Sequence, residues 1–298
     1  MISSNDFNQW QTRAQAQTEL ILNRVLPTAQ QEPIYLHEAM RYVTLDGGKR
    51  LRPLLVFASA ALGQADHDFA ELCAAAIECI HVYSLVHDDM PAMDNDSLRR
   101  GKPTCHIAYN EATALLVGDA LQTLAFDLVS RPSQLPTETQ LHIIQTLAHA
   151  SGSLGMAGGQ AIDLAHVGKP MSQAQLENMH QLKTGALIKA AIRMGALCCT
   201  DMTSAQLAQL NDYAQYLGLA FQVVDDVLDC EQDSATLGKT AGKDAQQNKP
   251  TYVSLMGLDQ AKTYAQELID GAINSLISFD EHADLLRSLA YYVIKRQA

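Results

Sequence analysis

Two triplets of aspartates carry most of the chemistry written into this chain. Asp88, Asp89 and Asp94 close an apolar stretch, residues 74–86, whose pattern is that of a buried helix. Charges placed there need a partner. At an effective dielectric of about 20, like charges ~4 Å apart repel by roughly 4 kcal/mol, and desolvation drives a lone carboxylate toward its protonated form. A hard divalent cation removes both costs, and Mg²⁺ takes one or two carboxylates together with waters and phosphate oxygens. A single Asp-Asp pair is usually a solvated turn, but here the pattern recurs far along the chain. Asp225, Asp226 and Asp229 stand at i, i+1 and i+4 of a second apolar segment, on neighbouring positions of one helical face. Two such clusters embedded in apolar helix are not explained as surface.

The elements that must position these residues read as helices almost throughout. Apolar residues recur at helical spacing from Phe7 to Val25, and Pro27 ends the run. Pro33 opens a helix that stops at Gly47-Gly48, and Pro53 to Ala61 continues as an apolar helix. Helices are expected over 70–89, 110–130, 138–154, 173–198, 204–230 and 259–277, punctuated by prolines and glycines. No alternating strand stands out, and the segments 182–199 and 207–228 are apolar on more than one face, as inner helices of a bundle are. With no composition shift or linker in 298 residues, the expectation is a single all-α domain spanning 1–298.

Composition narrows the partners. A formal net charge of −12 argues against nucleic acid or an anionic lipid surface, since such binding rests on cations that neutralise phosphate. Any anionic ligand must therefore be held by local clusters of Lys and Arg. The six cysteines form no Cys-x-x-Cys pair and lie mostly in apolar runs, which suits buried thiols in a reducing compartment. The polar first 17 residues contain no signal-like apolar region, and no run reaches the ~18 apolar residues of a membrane span. A cytoplasmic protein without an integral membrane segment is expected.

The cations fall where the acids need counterparts. Gly47-Gly48-Lys49-Arg50-Leu51-Arg52-Pro53 places three of them after a glycine pair that permits a tight turn, so that Lys49 and Arg52 can address one anion. Arg99-Arg100-Gly101-Lys102 follows the first acidic cluster, while Lys183-Thr184, Lys239 and Lys249 accompany the second. Two acidic and several basic groups suit a diphosphate held partly through Mg²⁺ and partly by direct contacts. Decoys fall away: Gly238-Lys239-Thr240 imitates a P-loop, but Asp233 stands where its first glycine belongs, and His37-Glu38 lacks the second zinc-binding histidine, replaced by Arg41. His142 and His149 share a helical face without further ligands.

Together these motifs resemble the trans-isoprenyl diphosphate synthases, most closely the bacterial farnesyl-forming branch. The resemblance runs nearly end to end through Gly48-Lys49-Arg50-Leu51-Arg52-Pro53, Glu78-Cys79-Ile80-His81, Asp88-Asp89-Met90-Pro91-Ala92-Met93-Asp94, Arg99-Arg100-Gly101, Gly118-Asp119-Ala120-Leu121, Gly159-Gln160-Ala161-Ile162-Asp163-Leu164, Lys183-Thr184-Gly185 and Phe221-Gln222-Val223-Val224-Asp225-Asp226. It implies an all-α isoprenoid synthase fold around a central cavity and assembly as a homodimer. It also implies that Asp88, Asp89, Asp94, Asp225, Asp226 and Asp229 bind Mg²⁺, with Mn²⁺ as an alternative. Arg99, Lys183, Thr184, Gln222 and Lys239 would hold an allylic diphosphate, dimethylallyl or geranyl. Gly48, Lys49, Arg52, His81 and Arg100 would hold isopentenyl diphosphate. Lys249, Lys295 and Arg296 match basic positions that close the site, and Gln160 and Asp163 line the pocket. The reaction implied is ionisation of the allylic C–O bond, condensation and proton loss, giving (2E,6E)-farnesyl diphosphate. Tyr83, five residues before Asp88 and so about 7.5 Å along the helix, would floor the cavity beside Ser84. A geranylgeranyl-forming synthase and, more remotely, a non-catalytic regulatory subunit are the competing readings; a class I terpene cyclase would carry a mixed second metal motif in place of Asp225-Asp226-x-x-Asp229.

Overall fold

A computed structural model describes residues 2–231 and 250–295, and the chain in it is overwhelmingly helical. The order is α1 (Ser4–Val25), α2 (Ile34–Thr44), α3 (Leu51–Ala60), α4 (His67–Asp88), a hairpin of two-residue antiparallel strands β1 (Leu98–Arg99) and β2 (Lys102–Pro103), α5 (Cys105–Ala108), α6 (Glu111–Ser130), α7 (Thr137–Ser151), α8 (Met156–Ala165) and α9 (Gln173–His180). A π-helical turn, Gln181–Gly185, joins α9 to α10 (Ala186–Leu197); α11 (Ser204–Glu231), α12 (Tyr252–Met256), α13 (Leu258–Ser275) and α14 (Asp284–Lys295) follow.

Side-chain caps set several starts. Ser3 caps α1, Asp66 accepts the Phe69 N–H at the head of α4 (3.1 Å), and Asn110 accepts that of Thr113 at the head of α6 (2.8 Å). The core lies around α4, which packs against α6, α3 and α10, while α11 packs against α10 and α13. Small residues let these helices approach closely: a Cβ on Gly195 of α10 would meet the Val56 carbonyl oxygen of α3 at 2.2 Å.

The structure departs from the sequence expectations in four places. The helix expected over 173–198 is interrupted by the π turn, and α8, α12 and α14 arise where no helix was expected. The hairpin forms where no strand was expected. Finally, α4 and α6 are both long and apolar enough to cross a membrane, contrary to the expectation that no run reaches that measure. Burial gives the reason for α4: 72% of its apolar window is enclosed by other helices, so its hydrophobicity serves the core of the bundle.

Candidate active site

The first acidic cluster is built by a chain reversal at the end of α4. Asp88 is its last residue and Asp89 its cap; the backbone then folds back so that the Asp94 N–H donates to the Asp88 carbonyl (2.8 Å) and the Asp96 N–H to that of Asp89 (3.1 Å). Asn95, at φ +52°, makes the reversal possible. Asp94 thus returns to Asp88. Burial, reinforced by the charges of Asp94 and Asp89 and opposed by Lys183 and Arg99, pushes the Asp88 carboxyl up to about 6. Asp89 is 3% exposed and accepts from Arg99 Nε at 3.0 Å and from its terminal guanidinium nitrogen. The hairpin that presents Arg99 is pinned by Tyr42, whose hydroxyl donates to the Pro103 carbonyl (2.8 Å), and by Thr104, which bonds Asp96 (2.7 Å).

At the hairpin tip, Arg100 takes a left-handed conformation, φ +53°, and lays its guanidinium over Gly47 and Gly48. A Cβ on Gly48 would fall 2.6 Å from a guanidinium nitrogen, and the φ of +83° there also requires glycine. Arg50 and Arg52, two residues apart at the start of α3, divide their labour. Arg50 is locked into the scaffold, bonding Glu78 (2.7 Å), Glu19 (2.7 Å) and the Thr44 carbonyl (2.6 Å). Arg52 is half-buried, and its Nε has no partner. Burial lowers it to about 10 despite Glu78 and Asp225, and Arg100 adds to the fall. Burial also holds His81 well below its usual value, with Arg52 and Arg100 contributing, so it is neutral. The charges of Arg52 and Arg100 both act on His81, and that of Asp225 acts on Arg52.

That cluster sits near the end of α11. Asp225 and Asp229 are half-buried, whereas Asp226 is buried and accepts the Tyr252 N–H at 2.7 Å. Facing it, the π turn presents Lys183 and Thr184. Three glycines allow this: a Cβ on Gly159 of α8 would lie 2.1 Å from the Lys183 nitrogen, and one on Gly218 of α11 would lie 2.9 Å from the α-carbon of Gly185. Lys183 Nζ donates to Asp163 at 2.6 Å. Burial works to lower its pKa, but Asp163, with Asp88 and Asp94 behind it, outweighs that and holds the ammonium above its ordinary range.

A cleft of about 370 Å³ runs from these charges into the bundle. Arg52, His81, Asp88, Lys183 and Thr184 line it together with Tyr83, Ser84, His87, Gln160, Met156 and Leu164. Lys49 is exposed just before α3, and Asp89, Asp94, Arg99, Arg100, Gln222, Asp225, Asp226 and Asp229 do not line that cleft. Lys295 lies elsewhere, over the Tyr291 ring in a groove shared with Phe7 of α1. Lys239, Lys249 and Arg296 fall outside the described residues. Two participants were not singled out from the sequence, Glu78 as the partner of Arg50 and Tyr252 as the donor to Asp226, while Asp163, expected to line the pocket, instead pairs with Lys183 and does not line the cleft. A glutamate within an apolar helix, one turn before His81, was the available signal for the first.

Among the described residues no three His, Cys, Asp or Glu side chains converge as a ready-made metal cage. The donor set nonetheless fits a hard cation. Asp88 beside Asp94 is a carboxylate pair whose charge is disfavoured by burial and repulsion, which is the deficit that Mg²⁺ makes good.

Residues 33–287 match the family model described as polyprenyl synthetase. The chain belongs to the polyprenyl synthetase family. Among other members, a farnesyl diphosphate synthase of Haemophilus influenzae is 46% identical over 303 residues, covering 99% of both chains. The apo crystal structure of an FPP/GFPP synthase from Zymomonas mobilis is 43% identical, with a TM-score of 0.89 over 98% of this chain and 100% of that one. A geranyltransferase from Helicobacter pylori, complexed with magnesium and isoprenyl diphosphate, is 34% identical with a TM-score of 0.87, covering 99% of this chain and 100% of that one. The polyprenyl synthetase fold expected from the sequence is therefore the fold found.

Proposed function

We infer that the chain is a farnesyl diphosphate synthase: it joins isopentenyl diphosphate head to tail to dimethylallyl and then geranyl diphosphate, yielding (2E,6E)-farnesyl diphosphate and diphosphate. The observation that carries this reading is one cleft lined by both charged and buried apolar groups: Asp88, Lys183 and Arg52 share it with Tyr83 and Met156.

In this reading Asp88 and Asp94 on one side, and Asp225 and Asp229 on the other, hold Mg²⁺ or a substituting Mn²⁺. Asp89 and Asp226 stand behind them, each already bonded to a protein donor. When bound, the metal supplies Lewis-acid neutralisation of the leaving diphosphate. Arg99, Lys183, Thr184, Gln222 and Lys239 orient the allylic diphosphate and take up negative charge as its C1–O bond breaks, a preorganised electrostatic contribution. Arg52, His81, Arg100, Lys49 and the Gly48 backbone seat isopentenyl diphosphate so that its double bond faces C1. Its π electrons form the new C–C bond, and the proton lost from C2 goes to the departing diphosphate. Neutral His81 donates a hydrogen bond without adding charge. The apolar walls exclude water from the allylic cation, and Tyr83 floors the cavity. The single polyprenyl synthase domain assembles as a homodimer, for which exposed Leu115, Leu116 and Leu141 of α6 and α7 supply an apolar face.

The test is to incubate the purified chain with dimethylallyl and isopentenyl diphosphates and Mg²⁺, then separate the dephosphorylated products by chromatography. A C15 alcohol is expected. A dominant C20 product transfers the chain to the geranylgeranyl-forming synthases, and absence of turnover overturns the catalytic reading.

A further inference from the structure

The motif Gly118-Asp119-Ala120-Leu121 has no part in the chemistry above, yet its glycine lies directly against a side chain of α4. A Cβ on Gly118 would lie 1.9 Å from His87 Nε2 and 2.4 and 2.5 Å from two ring carbons, so only glycine leaves room for the imidazole. His87 rests in this notch with Nε2 3.1 Å from the Leu115 carbonyl oxygen, one turn back on α6. Tyr83 and His87 are one turn apart on α4, ring edge to ring face at 5.8 Å. His87 therefore bridges α4 to α6 at Gly118. Tyr83 and His87 both line the cleft.

We propose that Gly118 of α6 is a specificity-determining positioning residue that sets product length by letting the His87 ring recede from the cleft. This rests on the prenyl-transfer reading above. A methyl at 118 drives His87 off its seat on α6 and into the cleft, where the ring narrows the path of the growing tail.

The experiment compares product distributions for the wild-type chain and the variants Gly118→Ala, His87→Ala and Gly118→Ala/His87→Ala, with thermal midpoints measured alongside. Steric exclusion of one prenyl unit should raise the C10:C15 ratio of Gly118→Ala by about tenfold or more. The double variant should return C10:C15 to that of His87→Ala, because no ring remains to be displaced. A folded Gly118→Ala with the wild-type ratio overturns the proposal, as does a shift that persists in the double variant. If Gly118→Ala does not fold, His87→Ala decides: its C20:C15 ratio should rise by about threefold as the wall retreats, and an unchanged ratio overturns the proposal. A wild-type chain that itself yields C20 defeats the C15 reading alone, since every variant is scored as a shift from wild type.

Discussion

The two acidic clusters are spelled alike but built differently. In the first, a helix ends and the backbone doubles back, so Asp94 reaches Asp88 through main-chain hydrogen bonds. In the second, α11 runs straight through, and helical geometry alone puts Asp229 one turn above Asp225. Yet both constructions arrive at the same division. The first and third acids, Asp88 with Asp94 and Asp225 with Asp229, remain half-buried, while the middle acid is buried and bonded: Asp89 to Arg99, Asp226 to the Tyr252 amide. The middle acids anchor neighbouring elements, the hairpin in one case and α12 in the other. A carboxylate triplet is thus a tool for both binding and assembly.

This contrast can be broken most forcefully at the outer positions. Asp88→Ala and Asp225→Ala should each lower kcat by about 10³-fold, the scale on which removal of one charge-stabilising group acts, with little change in thermal midpoint. Steady-state kinetics and calorimetry on the same samples check both halves. Asp163→Asn should come next: weakening the bond that aims Lys183 should raise KM for the allylic substrate by roughly tenfold, the scale of a charge-assisted hydrogen bond, and leave KM for isopentenyl diphosphate nearly unchanged. At the inner position, Asp226→Ala should cost about 1–3 kcal/mol by orphaning a buried N–H, whereas Asp226→Asn, whose amide oxygen still accepts, should melt close to wild type. Equal midpoints for the two variants would remove the anchoring role.

A pH-dependent effect concerns the imidazole beside the π turn. His180 stacks on Tyr252 at 5.6 Å, and neither ring nitrogen has a partner. Burial, aided by Lys183 and opposed by Asp163, lowers it from 6.5 to about 4. Below 6.5 the unfolded chain takes up a proton that the folded chain refuses until about 4. Stability is therefore full above 6.5 and declines as pH falls through that window. At about pH 5 the decline should reach about 2 kcal/mol, and His180→Phe, which keeps the stack, should flatten it. Denaturant melts at several pH values give the measurement.

The long helices were legible because prolines, caps and apolar periodicity agree along them, and both acidic clusters were legible because charge inside apolar helix is conspicuous. The π turn was not. Residues 181–185 contain nothing that forbids an ordinary helix, and the glycines that accommodate the detour lie partly elsewhere, at Gly159 and Gly218. Nor could the sequence divide Arg50 from Arg52: both follow the glycine pair, and only packing against Glu78 and Glu19 makes one a strut and leaves the other facing the cleft. Helix α8, with Gly158-Gly159 in its interior, defies helix propensity because close approach to Lys183 matters more.

The π turn also fixes the angular setting of what comes before it. Removing a single residue between Gln181 and Gly185 would restore an uninterrupted α-helix at no cost in length, but it would swing α9 by about 100° around the common axis. Ser172, His180 and Glu177 would then face new neighbours, and the ammonium of Lys183 would turn away from Asp163. One surplus residue in a helix acts here as a fixed angular offset between two halves of the enzyme.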